Sequence, residues 1–346
     1  MRPSTSSMRG RLGLAASAGL LPLFAMAPMA SAGTASPDSA VNATITVAAD
    51  GSGDYRTVQE AVDAVPAGTA TTIRIKPGTY RGAITVPSNK TDVRMEGLGG
   101  DPSAVVIVEN HSAGTLKPDG TTYGTSGSAT AVVNGRGFAA TNLTIANDFD
   151  EAAHAGDPGH QAVALNLSSD RSQLLNVRLL GNQDTFYVKD AARVYVKGSY
   201  IEGDVDFIFG GGIAVFHNSR VHTTTRSGSS ITAASTPVER PYGFLFFQCQ
   251  ISGSAPTGST MLGRPWRPDG SVVFRNSVLG AHIKTAQPWT DMSGNPWTGA
   301  RFFEYRNTGA GAGVNGNRPQ LSNAQALDHT VQSYLAGGDG WNPAGL

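Results

Sequence analysis

Ala140-Thr-Asn-Leu-Thr-Ile145 is the first of six similar segments in the chain. The others are Leu175-Asn-Val-Arg-Leu179, Lys197-Gly-Ser-Tyr-Ile201, His217-Asn-Ser-Arg-Val221, Gln248-Cys-Gln-Ile251 and Arg275-Asn-Ser-Val-Leu279. Each alternates apolar and polar residues, the period of a strand, and each meets Gly, Asn or Asp. Aligning Asn142, Asn176, Ser199, Asn218, Cys249 and Asn276 gives spacings of 34, 23, 19, 31 and 27 residues. One unit repeated at an irregular period of this size describes a β-solenoid whose strands stack while its loops vary. A β-sandwich lacks such a repeated unit and is disfavoured. Asn at a recurring turn tolerates left-handed backbone and can form a side-chain ladder along the stack.

Before the repeats, the stretch from Asp54 to Val65 places apolar residues at Val58, Ala61, Val62 and Val65. That is helical spacing, and it predicts a short helix capping the N-terminal end of the core, where an open solenoid would expose strand edges. Pro66 and Gly68 end it. Thr72-Ile-Arg-Ile75, Pro77-Gly-Thr-Tyr80 and Ala83-Ile-Thr-Val86 begin the coils. Near the C-terminus, Ser322-Asn-Ala-Gln-Ala-Leu-Asp reads as a short helix capped by Ser322 or Asn323.

Residues 1–32 read as a secretory leader. Arg2, Arg9 and Arg11 form its positive end, Leu12 to Ala27 its apolar run, and Ala30-Ser-Ala32 its small-residue cleavage site. Gly19 and Pro22 interrupt the apolar run, which falls short of the ~20 residues a membrane span needs. The expected destination is extracellular, with no membrane attachment after cleavage. Residues 33–42 form a small-residue linker, and 43–346 a single domain. The Gly309–Gly316 run is short enough to be a turn.

The chain carries 26 basic and 26 acidic residues, and without the leader arginines 23 against 26. That balance argues against nucleic acid, whose binding domains are usually strongly basic. The one cysteine, Cys249, has no internal disulfide partner and lies in the apolar run Phe244-Leu-Phe-Phe-Gln-Cys-Gln-Ile251. It reads as a packed core thiol.

Two aspartates stand out. Asp184 lies in Leu180-Gly-Asn-Gln-Asp-Thr-Phe-Tyr187 and Asp206 in Asp206-Phe-Ile-Phe-Gly210. Each sits among apolar or aromatic residues, where burial raises a carboxyl pKa unless a cation or hydrogen-bond donors hold it ionised. In a solenoid, positions 22 residues apart can occupy neighbouring turns, with strands stacked about 4.8 Å apart. The two carboxyls would then face one small substrate centre.

Four motifs carry a family resemblance: Gln161-Ala-Val-Ala-Leu165, Gly181-Asn-Gln-Asp-Thr-Phe-Tyr187, Asp206-Phe-Ile-Phe-Gly210 and Leu262-Gly-Arg-Pro-Trp266. In this order and spacing they resemble the signatures of the pectin methylesterases (pectinesterases), over roughly Ile45 to the C-terminus. The resemblance implies an all-β fold, a single-stranded right-handed parallel β-helix. It implies a hydrolase that removes methyl esters from galacturonate units of pectin and releases methanol. It makes Asp206 the nucleophile, with Arg264 as the guanidinium that keeps it ionised. Asp184 becomes the general acid and later base, so it must begin protonated. Gln183 belongs to the oxyanion hole, and Gln161 to the same pocket or to substrate binding. Tyr123, Tyr187, Phe209, Trp266 and Trp289 are candidates for stacking on sugar rings, Trp266 foremost. No cofactor or metal is expected, and the enzyme is expected to act as a monomer.

This chain departs from many relatives at Gly82, where they carry an acid, and at Ala233-Ala-Ser-Thr-Pro237, which replaces a more polar segment of plant members. The absent cysteine pair of the plant enzymes points to a bacterial type. HExxH, a Cys/His cluster and a Gly-x-Ser-x-Gly elbow are all missing from the sequence, which disfavours zinc and serine hydrolases. Two rivals remain. Glu202, Asp204 and Asp206 alternate along the sequence and could bind Ca²⁺ from one strand face, as in a calcium-dependent pectate or pectin lyase. A non-catalytic solenoid could instead bind wall polysaccharide through the aromatic residues alone.

Overall fold

A computed structural model describes residues 43–345. The leader and linker readings lie outside the described residues. Among the described residues, twenty-five strands form three parallel sheets. The first has ten strands, from Ala43–Val47 to Arg301–Tyr305; the second seven, from Ile84–Val86 to Met261–Pro265; the third eight, from Gly78–Arg81 to Val278–Leu279. One coil shows the pattern: Arg193–Lys197 lies in the first sheet, Tyr200–Gly203 in the third and Val205–Gly210 in the second. The next coil repeats it in register, with Arg193 opposite Ile213 and Tyr200 opposite Arg220. This is a parallel β-helix, as the repeats predict.

Side chains pointing inward from all three sheets form one continuous core from Val47 to Phe302. Like residues stack on like along the axis. Phe216, Phe246 and Phe274 lie on successive strands with ring centroids 4.6 and 4.3 Å apart. Such offset stacks add to the area they bury.

The turn positions differ by one residue from the sequence alignment in two coils. Left-handed backbone falls at Asn142, Asn176, Asn218 and Asn276, but at Gly198 and Gln248 where Ser199 and Cys249 were aligned. The asparagine ladder is limited to Asn176 Nδ2 donating to Asn142 Oδ1 at 2.8 Å. A row one position further in does that work instead. Ser199 and Ser219 Oγ accept from the backbone N–H of Val177 and Ser199, and Ser277 Oγ accepts from that of Cys249. Cys249 fills a slot in this serine row, its thiol 3.2 Å from Phe216 O.

The N-terminal helix spans Val58–Ala64, shorter than the pattern from Asp54 suggests. Tyr55 instead bridges to Val47, and Thr57 caps the helix in a capping box with Glu60. Val58, Ala61 and Val62 join the core beside Val47 and Ile73, covering the first coils. The Ser322 segment forms only the short 3-10 turn Gln325–Leu327, with Ser322 Oγ accepting from Gln325 N. A helix the sequence does not announce, Val331–Ala336, lays Val331, Tyr334 and Leu335 against Tyr195, Val215 and Leu245 on the outer face of the first sheet.

Candidate active site

The outer face of the second sheet carries a separate apolar cluster. Ala129, Val163, Phe209 and Ala233 are buried there, with Tyr187, Trp266 and Met292 packed over them. Register explains the row: Tyr187 lies opposite Phe209, Phe209 opposite Ala233, and Ala233 opposite Arg264.

Asp206 reaches this face because its strand is irregular. Val205 pairs with Ser230 but Ile208 with Thr232, so three steps on one strand match two on the other. Strict alternation back from outward Phe209 would turn Asp206 into the core. The extra residue lets both Phe207 and Ile208 point inward and swings Asp206 outward. Its backbone is left-handed there, φ 51°, and that of Asp184 is too, φ 69°. Aspartate tolerates this region better than most residues. Gly203 accommodates the distortion, since a Cβ there would fall 2.2 Å from Phe207 Cβ.

Arg264 clasps Asp206 with two hydrogen bonds, Nε to Oδ1 at 2.8 Å and Nη2 to Oδ2 at 2.7 Å. It comes from Met261–Pro265, two strands away, and small Ala233 on the intervening strand leaves room on that face. Asp184 sits one coil before, its backbone N–H bonded to Val205 O. Both carboxyls are nearly sealed from solvent, 8% exposed at Asp184 and 5% at Asp206.

Burial raises the pKa of both, but not equally. At Asp184 burial acts first and the charge of Asp206 adds to it, pushing the group well above the usual carboxylate range. At Asp206 burial also raises the value, while the hydrogen bonds and charge of Arg264 oppose it. Of the two, Asp206 is the one that Arg264 holds toward its charged form, and Asp184 the one pushed further toward its protonated form.

Gln161, Gln183, Asp184, Asp206, Tyr123, Tyr187, Phe209 and Trp266 line one cavity of about 540 Å³. The Gln183 carbonyl accepts from Ala162 N and the Gln161 carbonyl from Ala113 N, so both backbones are fixed. Tyr187 stacks on Phe209 at 4.3 Å, and the Trp266 ring stands tilted 6.0 Å from Phe209. Tyr123 stacks on His111 at 4.1 Å. Met292, Thr125, Ser126 and Ala233 also line it. Only Ala233 had a sequence signal, as part of the altered segment at 233–237. Met292 comes from a loop whose return to the site no local pattern announces.

Trp289 is not among these residues. It is fully buried, stacks on Phe302 at 4.6 Å, and belongs to the inner core. Its bridge to Gly263 turns it beneath the strand that carries Arg264, so it supports the site from inside and cannot meet a sugar. The calcium reading fails on geometry. Glu202 ends on the third sheet and accepts from Tyr200 OH, Asp204 faces Arg226, and Asp206 faces Arg264. Among the described residues, no group of three His, Cys, Asp or Glu side chains could hold a metal ion.

The chain matches one known family over most of its length. The sequence model of the family described as Pectinesterase matches residues 44–339. A pectinesterase of Ralstonia solanacearum is 39% identical over 323 residues, covering 80% of this chain and 81% of that protein. Pectinesterase A of Dickeya dadantii is 35% identical over 346 residues, covering 87% and 92%. Among solved structures, the pectin methylesterase PemA from Erwinia chrysanthemi superposes with a TM-score of 0.78 at 33% identity, covering 87% of this chain and 98% of that one. A pectin methylesterase in complex with a hexasaccharide superposes with a TM-score of 0.77 at 34% identity, covering 86% and 98%. With the family's motifs gathered around one cavity on its β-helix, this chain belongs to the pectinesterase family.

Proposed function

We propose that the protein hydrolyses the methyl esters of galacturonate units in pectin, with Asp206 as nucleophile and Asp184 as acid and base. The observation that carries this reading is the division of labour between the two buried carboxyls. One is clasped by Arg264, and the other faces the same cavity with its pKa pushed well up.

The cycle follows from those states. Asp206 attacks the ester carbonyl carbon, and the carbonyl oxygen takes the negative charge. The side-chain amides of Gln183 and Gln161 donate hydrogen bonds to that oxyanion. The tetrahedral intermediate collapses as Asp184 gives its proton to the departing methoxide, releasing methanol and leaving an acyl–Asp206 anhydride. Asp184, now ionised, takes a proton from water, which attacks the anhydride. Asp206 leaves as carboxylate, Asp184 is protonated again, and the product galacturonate carboxylic acid loses its proton to solvent. Tyr123, Tyr187 and Trp266 hold the polysaccharide by stacking on sugar faces, while Phe209, expected from the sequence to stack as well, is buried beneath Tyr187 and backs its ring. The leader pattern supports action outside the cell, and the enzyme is read as a monomer.

Methanol release from highly methylated pectin tests the reading, with wild type beside Asp184→Asn and Asp206→Asn. Release by wild type and its loss in both variants is expected. Ultraviolet-absorbing unsaturated products would mean a lyase, and sugar binding with no methanol a non-catalytic solenoid.

A further inference from the structure

A second charged cluster lies behind the acid. Glu151 Oε1 accepts from the backbone N–H of Gln183 at 3.2 Å. Glu151 Oε2 meets Arg226 Nη1 at 3.1 Å, and the same nitrogen donates to Asp204 Oδ2 at 3.4 Å. Asp204 Oδ1 accepts from Val205 N at 2.5 Å, and Asp204 N donates to Asn182 O at 3.2 Å. Asn182 Nδ2 reaches Phe149 O at 3.4 Å. The turn 181–184 is thus bonded on one side to the loop bearing Glu151 and on the other to the bend before Asp206. Arg226, from a third loop, ties the two sides together.

We propose that Glu151, Arg226 and Asp204 form a charged positioning bridge for the esterase reaction, one that holds the Gln183–Asp184 turn against the bulge that carries Asp206 and keeps net negative charge beside Asp184. This rests on the esterase reading above. None of the three lines the cavity, so they act through Gln183 and Asp184 rather than on substrate.

Charge, and not hydrogen bonding alone, is built into the bridge. A glutamine at 151 would satisfy the Gln183 N–H equally well. Instead two acids share one arginine, at a desolvation cost that a neutral clamp would avoid. The groups facing Asp184 are Asp206, Asp204 and Glu151, which hold its proton on, and Arg264, which opposes them. Tyr187 lies on its own segment, and His160 faces Glu151. Two carboxylates against the one guanidinium of Arg226 therefore leave an excess of one negative charge beside the acid.

The test pairs Glu151→Gln with Arg226→Met, read by pH profiles of kcat/KM and by the ¹³C titration of the Asp184 carboxyl, assigned with Asp184→Asn. Glu151→Gln keeps the acceptor for Gln183 N but removes the charge. Asp184 should release its proton at lower pH, and the alkaline limb should move down. Activity on that limb should fall by at least about threefold, the ratio a half-unit displacement produces. Arg226→Met leaves both acids uncompensated and should move the limb up. A purely structural bridge would lower Tm and activity in both variants without displacing either limb, and that result overturns the proposal. If wild type releases no methanol, the esterase reading falls, while the carboxyl titration still decides whether the bridge governs Asp184.

Discussion

Arg264 lies two strands from Asp206 and binds both of its carboxylate oxygens, at 2.8 and 2.7 Å. The planar guanidinium matches the carboxylate, and it never loses its charge. Burial raises the pKa of Asp206 and Arg264 restrains the rise. Removing that restraint must raise the value further. Since the nucleophile acts only when ionised, the acidic limb of the pH–rate profile should move to higher pH in Arg264→Lys, and further in Arg264→Met. Methanol release measured across pH checks this. An acidic limb that stays in place while the maximal rate falls would remove Arg264 from control of the nucleophile.

Asp184 should trade stability for activity. Its pKa is raised well above the ordinary carboxylate range, mainly by burial. Between the unfolded and folded values the folded state binds more protons. The contribution to stability is therefore fully present below the unfolded pKa and lost as pH rises through the folded one. Asparagine has no such proton to lose. Asp184→Asn should match wild type in Tm at about pH 3 and exceed it near neutrality, by roughly 2–4 °C for each kcal/mol recovered. The same variant should lose ~10²–10⁴-fold in kcat as a general acid–base catalyst. Equal Tm values at both pH extremes would contradict the raised pKa.

Backbone geometry decides which substitution tests the nucleophile fairly. Asp206 has φ 51°, a conformation asparagine tolerates and alanine resists. Asp206→Asn should fold with near-native Tm while activity collapses. Asp206→Ala should lose a further ~1 kcal/mol or more from strain at the bulge. Thermal melts of both variants separate loss of chemistry from loss of fold.

How much of this was legible follows from which interactions are local. The coils announce themselves because each needs a left-handed residue at its corner, and Asn142, Asn176, Asn218 and Asn276 supply it. Alternation then assigns faces, but it cannot register a one-residue bulge. Nothing in Asp206-Phe-Ile-Phe-Gly210 says that Phe207 and Ile208 both point inward, and it is this that exposes Asp206 to the cavity. Asp206 and Arg264 were linked by the family motifs and not by physics readable in the chain, because 58 residues separate them. The bridge through Glu151 and Arg226, 75 residues apart, had no motif to point to it. Trp289 was misplaced for a related reason. An indole near an active-site motif suggests a sugar platform, and only the arrival of Phe302 from the next coil reveals a core position.

That correction makes Trp266 and Trp289 opposite in effect. Trp266 is half-buried on the cavity wall, whereas Trp289 is sealed between Gly263 and Phe302. Trp289→Ala should cost about 3–5 kcal/mol of stability through lost burial and the cavity left behind. Trp266→Ala should leave Tm within a few degrees but raise KM for pectin, by roughly tenfold if the ring contributes a typical ~1.4 kcal/mol stack. Melting curves and KM values of the folded proteins check the pair. A KM increase in Trp289→Ala with unchanged Tm would return that residue to the substrate site.

Cys249 should report on the fold without taking part in chemistry. Its thiol stands in the row of Ser199, Ser219 and Ser277, and donates to Phe216 O at 3.2 Å as Ser277 Oγ does to Phe246 O. Complete burial pushes its pKa up to about 12, so the reactive thiolate is scarce in the folded chain. Cys249→Ser keeps the donor in a slot already shaped for hydroxyls and should change stability by less than about 1 kcal/mol. Cys249→Ala removes the donor and leaves a small void, which should cost about 1–2 kcal/mol. A thiol reagent should modify the native protein only at the rate of unfolding, so labelling in rising urea should track loss of the circular dichroism signal. Rapid labelling without denaturant would show that the coil around Phe216 opens independently of the rest of the stack.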